Sequence, residues 1–234
     1  MNIDRIKLYH FPASRSARAK WALHETVGED FDVENVSLYR GAQYEPDYLR
    51  KNPNHNVPTL EITLSDGSTR HMFESGAMIA FLADAFPEKN LAPPPSEFSA
   101  DRADYLQMLH FGASWIDMML WQIRIHEHIL PDDEQDQATI ERYRNKFATE
   151  AEPQLKERLE KTAHICGDDF CAADIVIAHD VGWARRYGLC TDRVFARYLS
   201  TVSKRPAFAL AFADAHEFNP ELPDGAREAR SFTG

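Results

Sequence analysis

The sequence is short of cysteine and of positive charge, and it lacks any long apolar run. Its three cysteines, Cys166, Cys171 and Cys190, are irregularly spaced and form no CxxC pair, so reduced, structural thiols are expected rather than a disulfide framework. Lysine and arginine total 26 against 37 aspartates and glutamates, a formal charge of −11. Phosphate binding depends on clustered cations, so neither nucleic acid nor an anionic membrane is expected as a partner. A small anionic ligand, which needs only a local site, remains open. No stretch approaches the ~20 apolar residues that cross a bilayer. The start, MNIDRIKLYHF, has no signal-peptide core and no small-residue cleavage site, and a cytoplasmic protein is the default expectation. Walker, G-x-G-x-x-G, G-x-S-x-G and H-E-x-x-H patterns are all missing. His126 and His128 stand two residues apart, a spacing that diverges on a helix, so no metal is expected.

What is present divides the chain in two. IKLYHF is a short β-rich run, followed by SRSARAKWALHETVG, whose helix formers close on Gly28. FDVENVSL is an imperfect strand, and EPDYLRKN a short helical segment with Pro46 near its start. Leu60, Ile62 and Leu64 alternate ahead of Ser65-Asp66-Gly67-Ser68 and a further run, a strong hairpin signal. SGAMIAFLADAFP reads as a helix stopped by Pro87. The order is β-α-β-α-β-β-α over residues 1–86. The proline-rich stretch at 87–98 reads as a linker. Residues 99–216 read as an all-helical bundle, with a long helix broken near Gly112, another containing Pro153, a buried helix at AADIVIAHDVGWARRYG, and RPAFALAFADA closing the bundle. Residues 217–234 read as an extended tail.

Three motifs, in order, carry a resemblance that spans nearly the whole chain. NPNHNVPTLE (52–61) resembles the NPxGxVPxL stretch of the cytosolic glutathione S-transferases, FESGAMIAFLADAFP their ESxAIxxYL helix start, and FCAADIVIAHD the F-[ST]-x-A-D-[IL] box of their second domain. The chain is similar in particular to the bacterial, serine-type, theta-like members. The resemblance implies a thioredoxin-like N-terminal α/β domain, an all-α C-terminal bundle, glutathione as co-substrate with no metal, and a homodimer. It further implies a cis Val57-Pro58 bond that turns the Val57 backbone to glutathione, with Asn56 and Pro58 beside it. Ser75 would bind the γ-glutamyl carboxylate at a helix N-terminus, and Glu74 the ammonium group. On residue chemistry alone, Ser75 is also a good N-cap. His55 and Asn56 depart from the family's usual Gly and Lys. Cys171 replaces a hydroxyl in the capping box, so a half-formed box leaning on Asp174 is expected.

In this family the thiolate of glutathione is the nucleophile, and a hydroxyl donating to sulfur favours it. Ungapped comparison of LYHFPASRSAR places Ser14 on the catalytic serine, with Ser16 and then Tyr9 as alternates. Arg15 stands near the position of the beta-class cysteine, so the loop holds no thiol. The plain alternative is that Ser14 only caps the helix. Phe11, Met108, Phe111 and Trp115 are candidates for the wall of a hydrophobic electrophile site, although such a stripe also makes ordinary core. The expected activity is glutathione transfer to that electrophile. The rivals are a glutathione-dependent disulfide reductase or peroxidase, and a non-catalytic binding module.

Overall fold

In the computed structural model the described residues are 3–96 and 98–219. Period-two burial makes β1 (Ile3–His10) a central strand, with Ile6 and Leu8 buried. A turn leads to α1 (Ser16–Thr26), which stops before Gly28 at a left-handed φ of +69°. The strand β2 (Asp32–Asn35) is exposed along its length, and α2 (Pro46–Leu49) starts on its proline. Two antiparallel strands follow, β3 (Thr59–Leu64) and β4 (Thr69–Met72). Their turn closes through Leu64 N–H to Ser68 O at 2.8 Å, with Gly67 at φ +80°. Then comes α3 (Ser75–Ala85). The sheet order is β2-β1-β3-β4, with β1 parallel to β2 and antiparallel to β3. This is the expected β-α-β-α-β-β-α domain.

The register brings three loops to one end of the sheet. Tyr9 pairs with Thr59, so the residues after β1 adjoin the Val57-Pro58 step that opens β3. Leu60 pairs with Met72, so Glu74 and Ser75 emerge from β4 at that same end.

The described residues form two units, one of residues 3–89 together with 206–219, the other of residues 90–205. Within the second, α4 (Ala100–His110) and α5 (Asp117–Arg124) flank a π-helical stretch, Phe111–Ile116. The expected break near Gly112 is thus a continuous helix. A Cβ at Gly112 would come within 2.7 Å of Val176 and 2.9 Å of Asp180, so glycine serves close helix approach rather than a turn. Next, α6 (Gln137–Lys146) passes through a π-helical turn into α7 (Glu152–Lys161), which has Pro153 in its first turn. The long helix α8 (Ala172–Arg186) is buried along most of its length, and α9 (Arg193–Val202) follows. At the start of α8 both residues of the capping box are in place. The box leans on Asp174, as expected: its carboxylate accepts the Cys171 N–H at 2.9 Å, whereas the Cys171 thiol makes no side-chain cap hydrogen bond and the Asp174 N–H goes to Cys171 O at 2.9 Å.

The last helix, α10 (Pro206–Ala211), clusters with the first unit, not with the helical bundle in which the sequence reading put it. Phe208 and Phe212 present one face, and each stands edge-on to the buried Trp21 of α1, with centroids 5.0 and 6.3 Å away. Of the tail read from residue 217, only Glu217, Phe218 and Asn219 are described. They are held: Tyr39 donates its hydroxyl to Asn219 O at 2.7 Å, and Phe218 packs on the cluster of Tyr9, Phe11 and Val57. The remainder of that tail lies outside the described residues.

Candidate active site

The loop between β1 and α1 is a knot of hydroxyls around one peptide. The Ser14 hydroxyl donates to Phe11 O at 2.7 Å, lies 2.8 Å from Ser16 Oγ, and accepts the Ser16 N–H at 3.2 Å. Ser16 Oγ accepts the Phe11 N–H at 3.0 Å and reaches Phe11 O at 2.9 Å and His10 Nδ1 at 2.7 Å. Ser16 is the first residue of α1 and has no exposed surface, whereas Ser14 is half-buried. Of the two serines, only Ser14 can meet a ligand. Its oxygen takes the Ser16 N–H, so it does part of the work of a cap as well.

Tyr9 is set aside as a thiol partner. Its ring belongs to the apolar cluster with Phe11, Val36, Leu38, Tyr48 and Val57, and its hydroxyl donates to Glu61 at 2.9 Å. Burial and then the Glu61 carboxylate push its pKa well above the ordinary phenol value.

The loop before β3 is built by Asn52, which is fully buried. Its side-chain N–H donates to Asn56 O at 3.0 Å, Asn56 Oδ1 at 2.9 Å and Thr59 Oγ1 at 3.1 Å, while its Oδ1 accepts the Asn54 N–H. Tyr48 adds a 2.6 Å bond to Asn56 O. His55 takes a left-handed φ of +46° with its ring 5.1 Å from that of Tyr44. That backbone is one that glycine adopts without cost, so His55 holds it at a strain that a glycine there would not carry. The Val57-Pro58 bond is cis. Val57 is buried by its side chain, and among the described residues its backbone N–H and C=O take no partner.

At the start of α3 the N-cap is Glu74, not Ser75, and it makes no side-chain cap bond. Ser75 is the first helical residue, which corrects the capping role read from sequence. Glu74 stands at φ +75°, an uncommon angle for a side-chain-bearing residue. The helix therefore begins with amides that no neighbouring side chain caps.

The apolar candidates divide. Phe11 is buried in the first unit, edge-on to Tyr39 at 4.9 Å. Met108 is core of the second unit, whereas Phe111 is half-buried and Trp115 is exposed, with Lys146 Nζ 4.7 Å from its ring centroid. Among the described residues no group of three or more His, Cys, Asp or Glu is placed to hold a metal ion, and no helix is long and apolar enough to cross a membrane.

Two participants escaped the sequence reading. His10 ends β1 with almost no exposed surface, and Asp214 Oδ2 lies 3.0 Å from His10 Nε2 and 2.6 Å from Lys20 Nζ. A polar residue closing the buried alternation Leu8, His10 was a usable signal. Asp214, 204 positions away, left none.

Residues 4–84 match the family described as Glutathione S-transferase, N-terminal domain. The chain is 27% identical over 219 residues to the disulfide-bond oxidoreductase YfcG of Escherichia coli (strain K12), covering 90% of this chain and 95% of that one. It is equally 27% identical to glutathione S-transferase GstA of Escherichia coli O157:H7, over 86% and 94% of the two. Among solved structures, a glutathione transferase family member from Pseudomonas fluorescens pf-5 with two glutathione molecules bound superimposes with a TM-score of 0.76 at 25% identity, over 89% of this chain and 92% of that one. A sphingomonad glutathione S-transferase complexed with glutathione gives 0.74 at 26%, over 90% and 98%.

Proposed function

We propose, from the match of residues 4–84 to the glutathione S-transferase N-terminal domain, that this chain is a glutathione transferase whose Ser14 hydroxyl stabilises the thiolate of glutathione for attack on a hydrophobic electrophile. One observation carries the reading: the half-buried hydroxyl of Ser14 stands at the sheet end where the register also brings Val57-Pro58 and the uncapped start of α3. Each part has a use. The unpaired Val57 backbone, flanked by Asn56 and Pro58, pairs strand-like with the peptide of glutathione. The amides at Ser75 and the dipole of α3 take the γ-glutamyl carboxylate, and the Glu74 carboxylate takes the ammonium group.

Thiolate formation then needs one rotation. The Ser14 proton, donated to Phe11 O, turns to sulfur, because a hydrogen bond to an anion outweighs one to a neutral carbonyl. The thiol proton leaves to solvent and the sulfur attacks the electrophilic carbon, so that with an aryl halide the carbon–sulfur bond forms as the carbon–halogen bond breaks and halide leaves to solvent. Within the second unit Trp115 and the half-buried Phe111 keep apolar surface open while Met108 is core; within the first, Phe11 is spent in packing on Tyr39. A cytoplasmic homodimer is the proposed form.

A second reading, glutathione-dependent disulfide reduction, is favoured by the likeness to YfcG along most of both chains. In that reaction the glutathione thiolate attacks a disulfide and a second thiol resolves the mixed disulfide. The experiment compares aryl-halide conjugation with disulfide reduction in wild type and Ser14→Ala. Conjugation falling by about 100-fold, with a raised thiol pKa for bound glutathione, is expected for loss of one preorganised donor. Unchanged rates and an unchanged thiol pKa would remove Ser14 from the mechanism, and reduction far outrunning conjugation would select the second reading.

A further inference from the structure

Asp214, His10 and Ser16 stand in the order of an acyl-transfer triad, with Asp214 Oδ2 3.0 Å from Nε2 and Ser16 Oγ 2.7 Å from Nδ1 of the same imidazole. Hydrolysis is excluded by access, since Ser16 is 0% and His10 1% exposed, and no acyl carbonyl can reach that hydroxyl. The chain continues one step further, from Ser16 Oγ to Ser14 Oγ at 2.8 Å, and there it meets the surface.

The direction of each proton follows from its outer end. The Asp214 carboxyl is held ionised: burial alone would raise its pKa, but Lys20 and His10 lower it overall. A carboxylate 3.0 Å from Nε2 requires a proton on Nε2. His10 stays neutral at physiological pH, since burial, only partly opposed by Asp214, lowers its pKa to about 4. Nδ1 is therefore an acceptor, and the hydroxyl proton of Ser16 goes to it. Ser16 Oγ, already accepting the Phe11 N–H, is left as an acceptor toward Ser14, while the Ser16 N–H holds the Ser14 oxygen in place. One hydroxyl proton of the loop, that of Ser14, stays free to turn outward.

We infer that His10, with its tautomer set by Asp214, is a positioning residue that commits the Ser16 proton inward and thereby keeps Ser14 a donor aimed at the glutathione sulfur. This rests on the reading of Ser14 as the thiolate's partner. It links the end of the chain to the first loop, since Asp214 follows α10, which Trp21 holds against α1.

The test uses the full chain and measures, for each variant, glutathione affinity by calorimetry, the thiol pKa of bound glutathione by thiolate absorbance, and kcat. His10→Leu is expected to raise the thiol pKa by about 1, with roughly tenfold less thiolate at neutral pH and affinity within about twofold. His10→Asn, whose Oδ1 comes near the place of Nδ1, should recover most of the loss. In Ser14→Ala the His10→Leu change should have no further effect, the non-additivity of residues acting through one another. Ser16→Ala, a smaller disturbance, should match His10→Leu and serves if that variant does not fold. The inference is overturned if His10→Leu or Ser16→Ala leaves the thiol pKa unchanged, if Asn and Leu behave alike, or if the effects of positions 10 and 14 add. A silent Ser14→Ala brings down the functional reading and this inference with it. A raised thiol pKa in Ser14→Ala beside an unchanged one in His10→Leu brings down this inference alone.

Discussion

At the start of α8 the buried Asp174 carboxylate accepts from the Cys171 N–H at 2.9 Å, the Ile165 N–H at 2.9 Å and the Tyr198 hydroxyl at 2.8 Å. The start of α3 has no side-chain cap and holds Glu74 at φ +75°. Between them stands α1, whose first residue, Ser16, is satisfied through a hidden histidine while its neighbour Ser14 keeps an open side. Helix starts that only support the fold can close on themselves, because every amide paired internally adds to stability. A start meant for a ligand has to leave amides or a hydroxyl unspent, and the rest of the domain carries that cost.

The contrast can be broken most heavily at α8. Asp174→Ala orphans three buried donors, and at about 1–3 kcal/mol each an overall loss of about 4 kcal/mol is expected in urea unfolding. The thiol pKa of bound glutathione should stay where it was in whatever protein remains folded. A stability change below about 1 kcal/mol would mean that the box is ornamental.

The intermediate case is read by pH. His10 has a pKa of about 4 in the folded chain against an ordinary 6.5, burial being the main cause. Between those values the unfolded chain binds the extra proton, so the stabilisation is complete above pH 6.5 and is lost as pH falls toward 4. It amounts to about 3 kcal/mol. Urea unfolding followed over this range should be steeper for wild type than for His10→Asn. Parallel curves would deny that His10 is neutral in the fold.

The smallest effect is expected at α3 and has the opposite sign. Glu74→Gly relieves the left-handed backbone and should raise stability by about 1 kcal/mol, while weakening glutathione binding by roughly tenfold. Calorimetry and thermal unfolding on one preparation would check both halves. Loss of stability in this variant would show that Glu74 belongs to the fold rather than to the ligand.

Much of this was legible in the chain itself. The alternation in TLEITL, the Asp-Gly turn, Gly28 and Pro87 act over a few residues, and the strands and helices of the first unit formed where those signals lay. The cis proline of NPNHNVP and the helix start at the Glu-Ser pair were readable because both are local motifs. Less legible was the use made of Gly112, since a missing side chain looks alike in a bend and in a close helix contact. The place of α10 was misread because an amphipathic helix advertises an apolar face without naming its partner, which proved to be Trp21.

Ser14 and Ser16 mark the limit. Sequence by itself determined that two hydroxyls precede a helix, beside a strand end and upstream of a cis-proline loop, since these depend on neighbours along the chain. Which serine faces outward, and where its proton can go, was decided by tertiary structure alone. Burial hides Ser16, and the carboxylate that directs the chain of protons comes from Asp214. No local propensity could reveal that, because hydrogen-bond direction is set by the partner at the far end.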